Sequence, residues 1–221
     1  MKIGLFGGTF DPIHLGHLRA IKEVSERFGL SKTHLIPAAL PPHKPHRDIA
    51  TVKDRLEMIR LAVGSMAEFD ISDIELNRSG PSYTIDTVKH FKAETPETDR
   101  IYLIMGLDAF LEIDTWKAYL EIFTLVPVII MARPHYGVDR TESPWDLVAD
   151  FIGKKISAQY HCNDTEARHS SDTYQPIHFI DVSLLDISGT RIRDFIRQGK
   201  SIRFLVPETV ELYIRQQGLY Q

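Results

Sequence analysis

The chain has 221 residues, 43% of them hydrophobic and 25% charged, which allows a buried core without staples and excludes a disordered polymer. A formal net charge of -4 argues against nucleic acid as the main partner, but leaves room for a small anion held by a local cluster of donors. The single cysteine, Cys162, excludes a disulfide framework within the chain and fits a reducing, cytoplasmic compartment. No run approaches the roughly 18 apolar residues of a membrane span. The opening Met1-Lys2-Ile3-Gly4-Leu5-Phe6 is too short an apolar run for a signal peptide. A soluble protein with no membrane partner is expected.

Residues 2–6 read as a short buried strand, ended by Gly7-Gly8. Residues 15–28 carry a helical apolar pattern (Leu18, Ile21, Val24 and Phe28), with Gly29 just past the end. Residues 33–37 form a second strand, and 38–48 a loop stiffened by Pro41, Pro42 and Pro45. A helix over 51–65 has Thr51 as its cap and Asp54 in its first turn. Residues 69–75 are β-like, 82–94 a third helix, 100–105 a buried strand ended by Gly106, 116–123 a short helix and 126–132 another buried strand. From Pro134 to about Ile177 the pattern weakens. A helix over 144–152 is compatible with it, whereas the polar stretch 163–175 reads as a loop or disordered insertion. Residues 177–182 resume as a strand. A helix over 188–198 is capped by Ser188 and stopped by Gly199, and the last helix, 207–217, has Pro207 at its first position and Gly218 beyond its end.

Strand and helix alternating at this spacing mean βαβ units, so the expected class is α/β: a Rossmann-like, doubly wound parallel sheet with right-handed crossovers. We expect one domain over residues 1–221, with an insertion at about 138–176 and a C-terminal helical part from about 188.

Gly7-Gly8-Thr9-Phe10-Asp11-Pro12-Ile13-His14-Leu15-Gly16-His17 follows strand one and opens helix one, at the carboxyl end of a parallel strand where open α/β sheets bind ligands. Gly7 and Gly8 let the backbone approach something bulky, and Gly16 leaves room against the backbone between the histidines. The helix start offers unpaired N–H groups and a positive dipole end to an anion. His14 and His17, three apart, share one face. Taken alone, such a pair also fits two surface histidines near a cap, or half of a zinc site lacking its third ligand. Neither familiar phosphate loop is present: there is no Gly-x-Gly-x-x-Gly and no Gly-Lys-Ser/Thr. The string resembles the His-x-Gly-His motif of the nucleotidyltransferase superfamily, in which the two histidines contact the phosphates of ATP.

Ile187-Ser188-Gly189-Thr190-Arg191-Ile192-Arg193 opens another helix. Ser188 can cap it, Thr190 and the free N–H groups can bind phosphate, and Arg191 adds a charged fork. It resembles the superfamily's second motif, Ile-Ser-Ser/x-Thr-x-Ile-Arg, with Gly189 in place of the common second Ser at a position that reads as permissive. Arg193 fits a surface or structural arginine.

Adenylyl transfer to a phosphate uses an acceptor oxygen that is already ionised, so it needs positioning and charge neutralisation rather than a base or a protein nucleophile. On the resemblance, His14 is expected at the α-phosphate and His17 at the β/γ region, with Lys44 and Arg191 as further catalytic cations. The expected ATP site comprises Gly7, Gly8, Thr9, Phe10, His14, Gly16, His17, Gly106, Asp108, Ile187, Ser188, Thr190 and Arg191. Mg²⁺ is expected on the phosphates and water, with no protein metal ligand.

Three further segments bear on the acceptor. Pro41-Pro42-His43-Lys44, Ser82-Tyr83-Thr84-Ile85-Asp86-Thr87, and Gly106-Leu107-Asp108-Ala109 with Trp116-Lys117 resemble, in that order, segments of nicotinate-nucleotide adenylyltransferases. The resemblance implies that nicotinate mononucleotide meets Phe10, Asp11, His43, Lys44, Tyr83, Thr84 and Trp116. The start of helix three would take its carboxylate, Trp116 would stack on the pyridine ring, and Asp108 would accept from a ribose hydroxyl. The expected activity is transfer of AMP from ATP to nicotinate mononucleotide, giving nicotinate adenine dinucleotide and pyrophosphate in NAD biosynthesis. Alternatives are an enzyme taking both mononucleotides or preferring nicotinamide mononucleotide, and a non-catalytic nucleotide sensor on the same fold. A phosphopantetheine acceptor fits less well, and a dehydrogenase lacks its glycine fingerprint. Residues 138–176 match no usable pattern: a lid or an oligomer contact would fit there, and a Cys162 nucleophile or a metal at His161, Cys162 and His169 fits poorly.

Overall fold

The computed structural model describes residues 1–39, 49–64, 66–78, 80–132, 143–183 and 185–221. Among these residues, eight strands form one sheet in the order β3-β2-β1-β4-β5-β8-β7-β6. These are β1 (Lys2–Gly8), β2 (Lys32–Pro37), β3 (Phe69–Ile71), β4 (Arg100–Gly106), β5 (Val128–Ala132), β6 (His161–Asn163), β7 (Arg168–Ser170) and β8 (Ile177–Asp181). β1 to β5 and β8 run parallel, and β7 and β6 add an antiparallel hairpin at one edge.

The central strands read as continuous apolar runs because both faces of the sheet are covered. Alternation sends Phe6, Tyr102, Ile104, Ile129 and Met131 into one core. Leu5, Ile101, Leu103, Val128 and Ile130 go into the other. The first core is closed by α1 (Leu15–Phe28), α2 (Val52–Val63), α7 (Gly189–Arg197) and α8 (Glu208–Gln217). The second lies under α3 (Thr84–Glu94), α4 (Leu107–Leu111), α5 (Tyr119–Leu125) and α6 (Pro144–Phe151). From β1 the chain moves outward to β2 and β3, then returns to lay β4 on the other side of β1. That reversal opens a crevice above the carboxyl ends of β1 and β4, where such sheets bind ligands.

Several sequence expectations change. The stretch 163–175 is not a loop throughout: β6 and β7 pair around a turn at residues 164–167. Its polar composition is that of an edge hairpin, one side of which is held by His169, buried and stacked on Trp145 with centroids 4.4 Å apart. The β-like segment at 69–75 is a strand only over Phe69–Ile71. The helix expected from 116 starts at Tyr119, because Trp116 is extended and Ala118 takes a positive φ of 50°. Pro207 caps α8 from outside rather than filling its first turn. Among the described residues, no helix is long and apolar enough to cross a membrane.

Candidate active site

α1 begins with two histidines that cap each other. His14 stands before the helix in extended backbone, and its Nδ1 accepts the His17 N–H at 3.3 Å. In return His17 Nδ1 accepts the His14 N–H at 3.3 Å, and the two rings stack with centroids 3.6 Å apart. This is a capping box built from imidazoles. Since both Nδ1 atoms act as acceptors, each neutral ring carries its proton on Nε2, at the far side of the ring from the cap. The helix start thus presents imidazole N–H donors as a rigid pair. Gly16 serves this geometry: a Cβ there would lie 3.1 Å from His14 Nδ1, so what sits against its backbone is the His14 ring.

Phe10 is buried, takes a positive φ of 49°, and sets its edge against His17 with centroids 5.3 Å apart. A non-glycine residue in that region is held there by its surroundings. Here Arg55 does the holding. It is 1% exposed and donates from Nη1 to the Thr9 carbonyl at 2.8 Å and from Nε to the Ala50 carbonyl at 3.3 Å. Burial pulls its guanidinium below the ordinary value, and the Asp11 carboxylate opposes that shift. No local pattern in the sequence marks Arg55; it reads as one more polar residue of α2.

α7 starts where the sequence places it. Ser188 Oγ caps the helix by accepting the Arg191 N–H at 3.3 Å. Position 189 is not permissive: a Cβ on Gly189 would sit 2.7 Å from the Asp11 carbonyl oxygen. Arg193 Nη1 donates to that same oxygen at 2.6 Å. The second motif is therefore clamped onto the first.

The two motifs line one cavity of about 410 Å³, bordered by Thr9, Phe10, Asp11, His14, His17, Gly106, Asp108, Ile187, Ser188, Thr190 and Arg193. Arg191, the arginine expected to serve as the phosphate fork, is not among the lining residues. It pairs with Asp186 at 3.0 Å and lies over the Phe195 ring, while Arg193, read as structural, faces the cavity.

A second cavity of about 360 Å³ adjoins the first and shares Phe6, Thr9 and Gly106 with it. Gly7 and Gly8, Ser82, Tyr83 and Thr84 at the start of α3, and Trp116 with Lys117 line it. Tyr83 makes no side-chain cap for α3, and the Asp86 N–H turns to the Tyr83 carbonyl at 3.1 Å, so the Thr84 and Ile85 N–H groups at the very start are the ones open to a ligand or water. Lys117 lies 4.5 Å from the Tyr83 ring centroid and 3.1 Å from Asp86. Glu75, which sequence reading missed, borders this cavity and accepts from Thr87 Oγ1 at 2.7 Å. His43 and Lys44 lie outside the described residues. Cys162 lines neither cavity, and desolvation with the Asp164 carboxylate pushes its thiol up to about 11, which leaves it protonated at neutral pH.

Comparison with known proteins agrees with this layout. The cytidylyltransferase-like family profile matches residues 5–195. A protein of Desulfatibacillum aliphaticivorans named probable nicotinate-nucleotide adenylyltransferase is 44% identical over 224 residues, covering 100% of both chains. One of the same name from Geobacter sp. (strain M21) is 40% identical over 220 residues, covering 100% of this chain and 98% of its own. The Plasmodium falciparum nicotinic acid mononucleotide adenylyltransferase complexed with NaAD superposes with a TM-score of 0.72 over 99% of this chain and 97% of its own. At 20% identity it speaks for the fold alone.

Proposed function

This chain belongs to the nicotinate-nucleotide adenylyltransferase family, and from that premise we infer that it moves the adenylyl group of ATP onto the phosphate of nicotinate mononucleotide, releasing pyrophosphate. The observation that carries the inference is the pair of adjoining cavities, one lined by both phosphate motifs and the other by the start of α3 and Trp116. A dinucleotide has two such halves joined by phosphate.

An ionised oxygen of the acceptor phosphate attacks the α-phosphorus, the bond to the bridging oxygen breaks, and pyrophosphate departs. No proton has to be removed, so the protein's work is orientation and charge stabilisation. His14 and His17 donate from Nε2 to the α-phosphate and to the departing β/γ group. The first N–H groups of α7, Thr190 and Arg193 hold the remaining phosphate oxygens, with Arg191 close by on the same helix turn. Asp108, in the first turn of α4 and on the cavity wall, accepts from a ribose hydroxyl in this reading. On the acceptor side the start of α3 takes the carboxylate and Trp116 the ring, with Lys44 completing the cation set. Mg²⁺ fits as an ion held by phosphate and water, because the lining side chains His14, His17, Ser188, Thr190 and Arg193 are phosphate donors and, of the two lining carboxylates, Asp11 is engaged by Ala50, Tyr220 and Arg193 while Asp108 is assigned to the ribose. When bound it neutralises phosphate charge. The single cysteine supports a cytoplasmic setting.

Glu75 favours a second reading, since a carboxylate beside the acceptor ring would welcome the amide of nicotinamide mononucleotide. The test is kcat/KM for the two mononucleotides at saturating ATP. We expect nicotinate mononucleotide to be preferred at least about tenfold, the worth of one well-placed charged hydrogen bond. Preference for the amide would overturn the choice of acceptor.

A further inference from the structure

Tyr220, next to last in the sequence, is tied to Asp11, which lines the larger cavity. α8 ends at Gly218, whose left-handed backbone turns the chain so that the Leu219 N–H returns to the Ile214 carbonyl at 3.0 Å. Tyr220 follows with a positive φ of 65° and donates its hydroxyl to Asp11 Oδ1 at 2.6 Å. The Ala50 N–H donates to the same oxygen at 3.0 Å. Asp11 Oδ2 faces Arg193 Nη1 at 3.4 Å.

That last pair is unfinished. Asp11 Oδ2 and Arg193 Nε are both buried, and neither makes a hydrogen bond among the described residues. A guanidinium and a carboxylate this close ordinarily settle into a two-pronged pair. Here Nη1 is spent instead on the Asp11 backbone carbonyl at 2.6 Å, and Nη2 on Thr190 Oγ1 at 3.3 Å, at the mouth of the phosphate cavity. We propose that Tyr220 is a positioning residue for adenylyl transfer: by fastening the Asp11 carboxylate to the C-terminal tail, it prevents a two-pronged Asp11–Arg193 pair and so leaves Arg193 Nη2 beside Thr190 on the phosphate side. Burial, and then Asp11 itself, raise the Tyr220 phenol far above its ordinary value, so it remains a donor throughout the working pH range. The inference rests on the transferase reading above.

Tyr220→Phe keeps the ring and removes the donor. We expect its kcat/KM for ATP to fall about tenfold, chiefly through a higher KM for ATP. In an Arg193→Met background the same change should cost less than about twofold, because its target is gone. A chain ending at Leu219 should repeat the pattern, and thermal melts on each variant separate loss of fold from loss of position. An unchanged KM for ATP in Tyr220→Phe, or an equal loss in both backgrounds, overturns the proposal. Wild-type turnover of ATP with nicotinate mononucleotide, run alongside, reports on the transferase reading separately.

Discussion

Gly189 and Asp11 touch so closely that even a methyl group has no place between them: a Cβ on Gly189 would stand 2.7 Å from the Asp11 carbonyl oxygen. Residues 178 positions apart in the chain thereby fix the gap between the two helix starts that share the larger cavity. A backbone oxygen cannot step aside the way a side chain can. Gly189→Ala should therefore cost about 1–3 kcal/mol of stability, the usual range for overpacking. It should also lower kcat/KM for ATP, because relief means pushing α7 away from His14. Thermal unfolding and initial rates on the one variant check both parts.

The mutual cap of His14 and His17 lets folding and chemistry be separated. Asn is a good N-cap acceptor, so His14→Asn should keep α1 within about 0.5 kcal/mol of its stability. It has no donor where the imidazole Nε2 stands, and should lose at least ~2 kcal/mol of transition-state stabilisation. His17→Ala should show a similar kinetic loss with a lower melting temperature as well, because half of the cap goes with it. Rates near wild type for His14→Asn would place the histidine in the fold and not in the reaction.

Arg191 and Arg193 lie two residues apart but face different surroundings. The Arg191–Asp186 pair is exposed, and such pairs contribute only about 0–1 kcal/mol. Arg193→Met should accordingly lower kcat/KM for ATP at least about tenfold more than Arg191→Met does, a difference of roughly 1.4 kcal/mol. Steady-state kinetics of both variants at varied ATP make the comparison. A larger loss at Arg191 would show that it swings into the cavity when nucleotide binds.

At the opposite end of the sheet, His178 sits half-buried on β8, with its ring edge against Phe28. Burial, followed by the nearby Arg168, Arg100 and Lys2, lowers its pKa to about 4. Arg27 and Glu166 border the same recess. In the unfolded chain the imidazole titrates near 6.5. Its contribution to stability is thus complete above about pH 6.5 and is lost as the pH falls toward 4, since the unfolded state takes up the proton first. His178→Phe should flatten the loss of stability between pH 7 and 5 by about 1–2 kcal/mol in urea melts. Equal slopes for the two proteins would contradict this.

What the sequence made legible was whatever is written locally. β1, α1, β5 and α7 follow from apolar runs, helical spacing, capping residues and terminal glycines, and the motif strings mark both ends of the larger cavity. What stayed hidden depends on partners distant in the chain. The β6–β7 hairpin has too few apolar residues to signal a strand, because it lies at a sheet edge and one side is stabilised by Trp145 on His169. Arg55 looks like an ordinary helix arginine until its carbonyl partners, Thr9 and Ala50, are in place. Gly189 looks replaceable, and Tyr220 carries no local signal, until Asp11 is set beside them.

The most direct test is a crystal structure with nicotinate adenine dinucleotide bound. We expect the phosphates within hydrogen-bond distance of His14 or His17 and of the α7 start, with the nicotinate ring in the neighbouring cavity against Trp116 and its carboxylate at Thr84. A dinucleotide confined to one cavity, or one whose phosphates lie away from both helix starts, would contradict the two-cavity site.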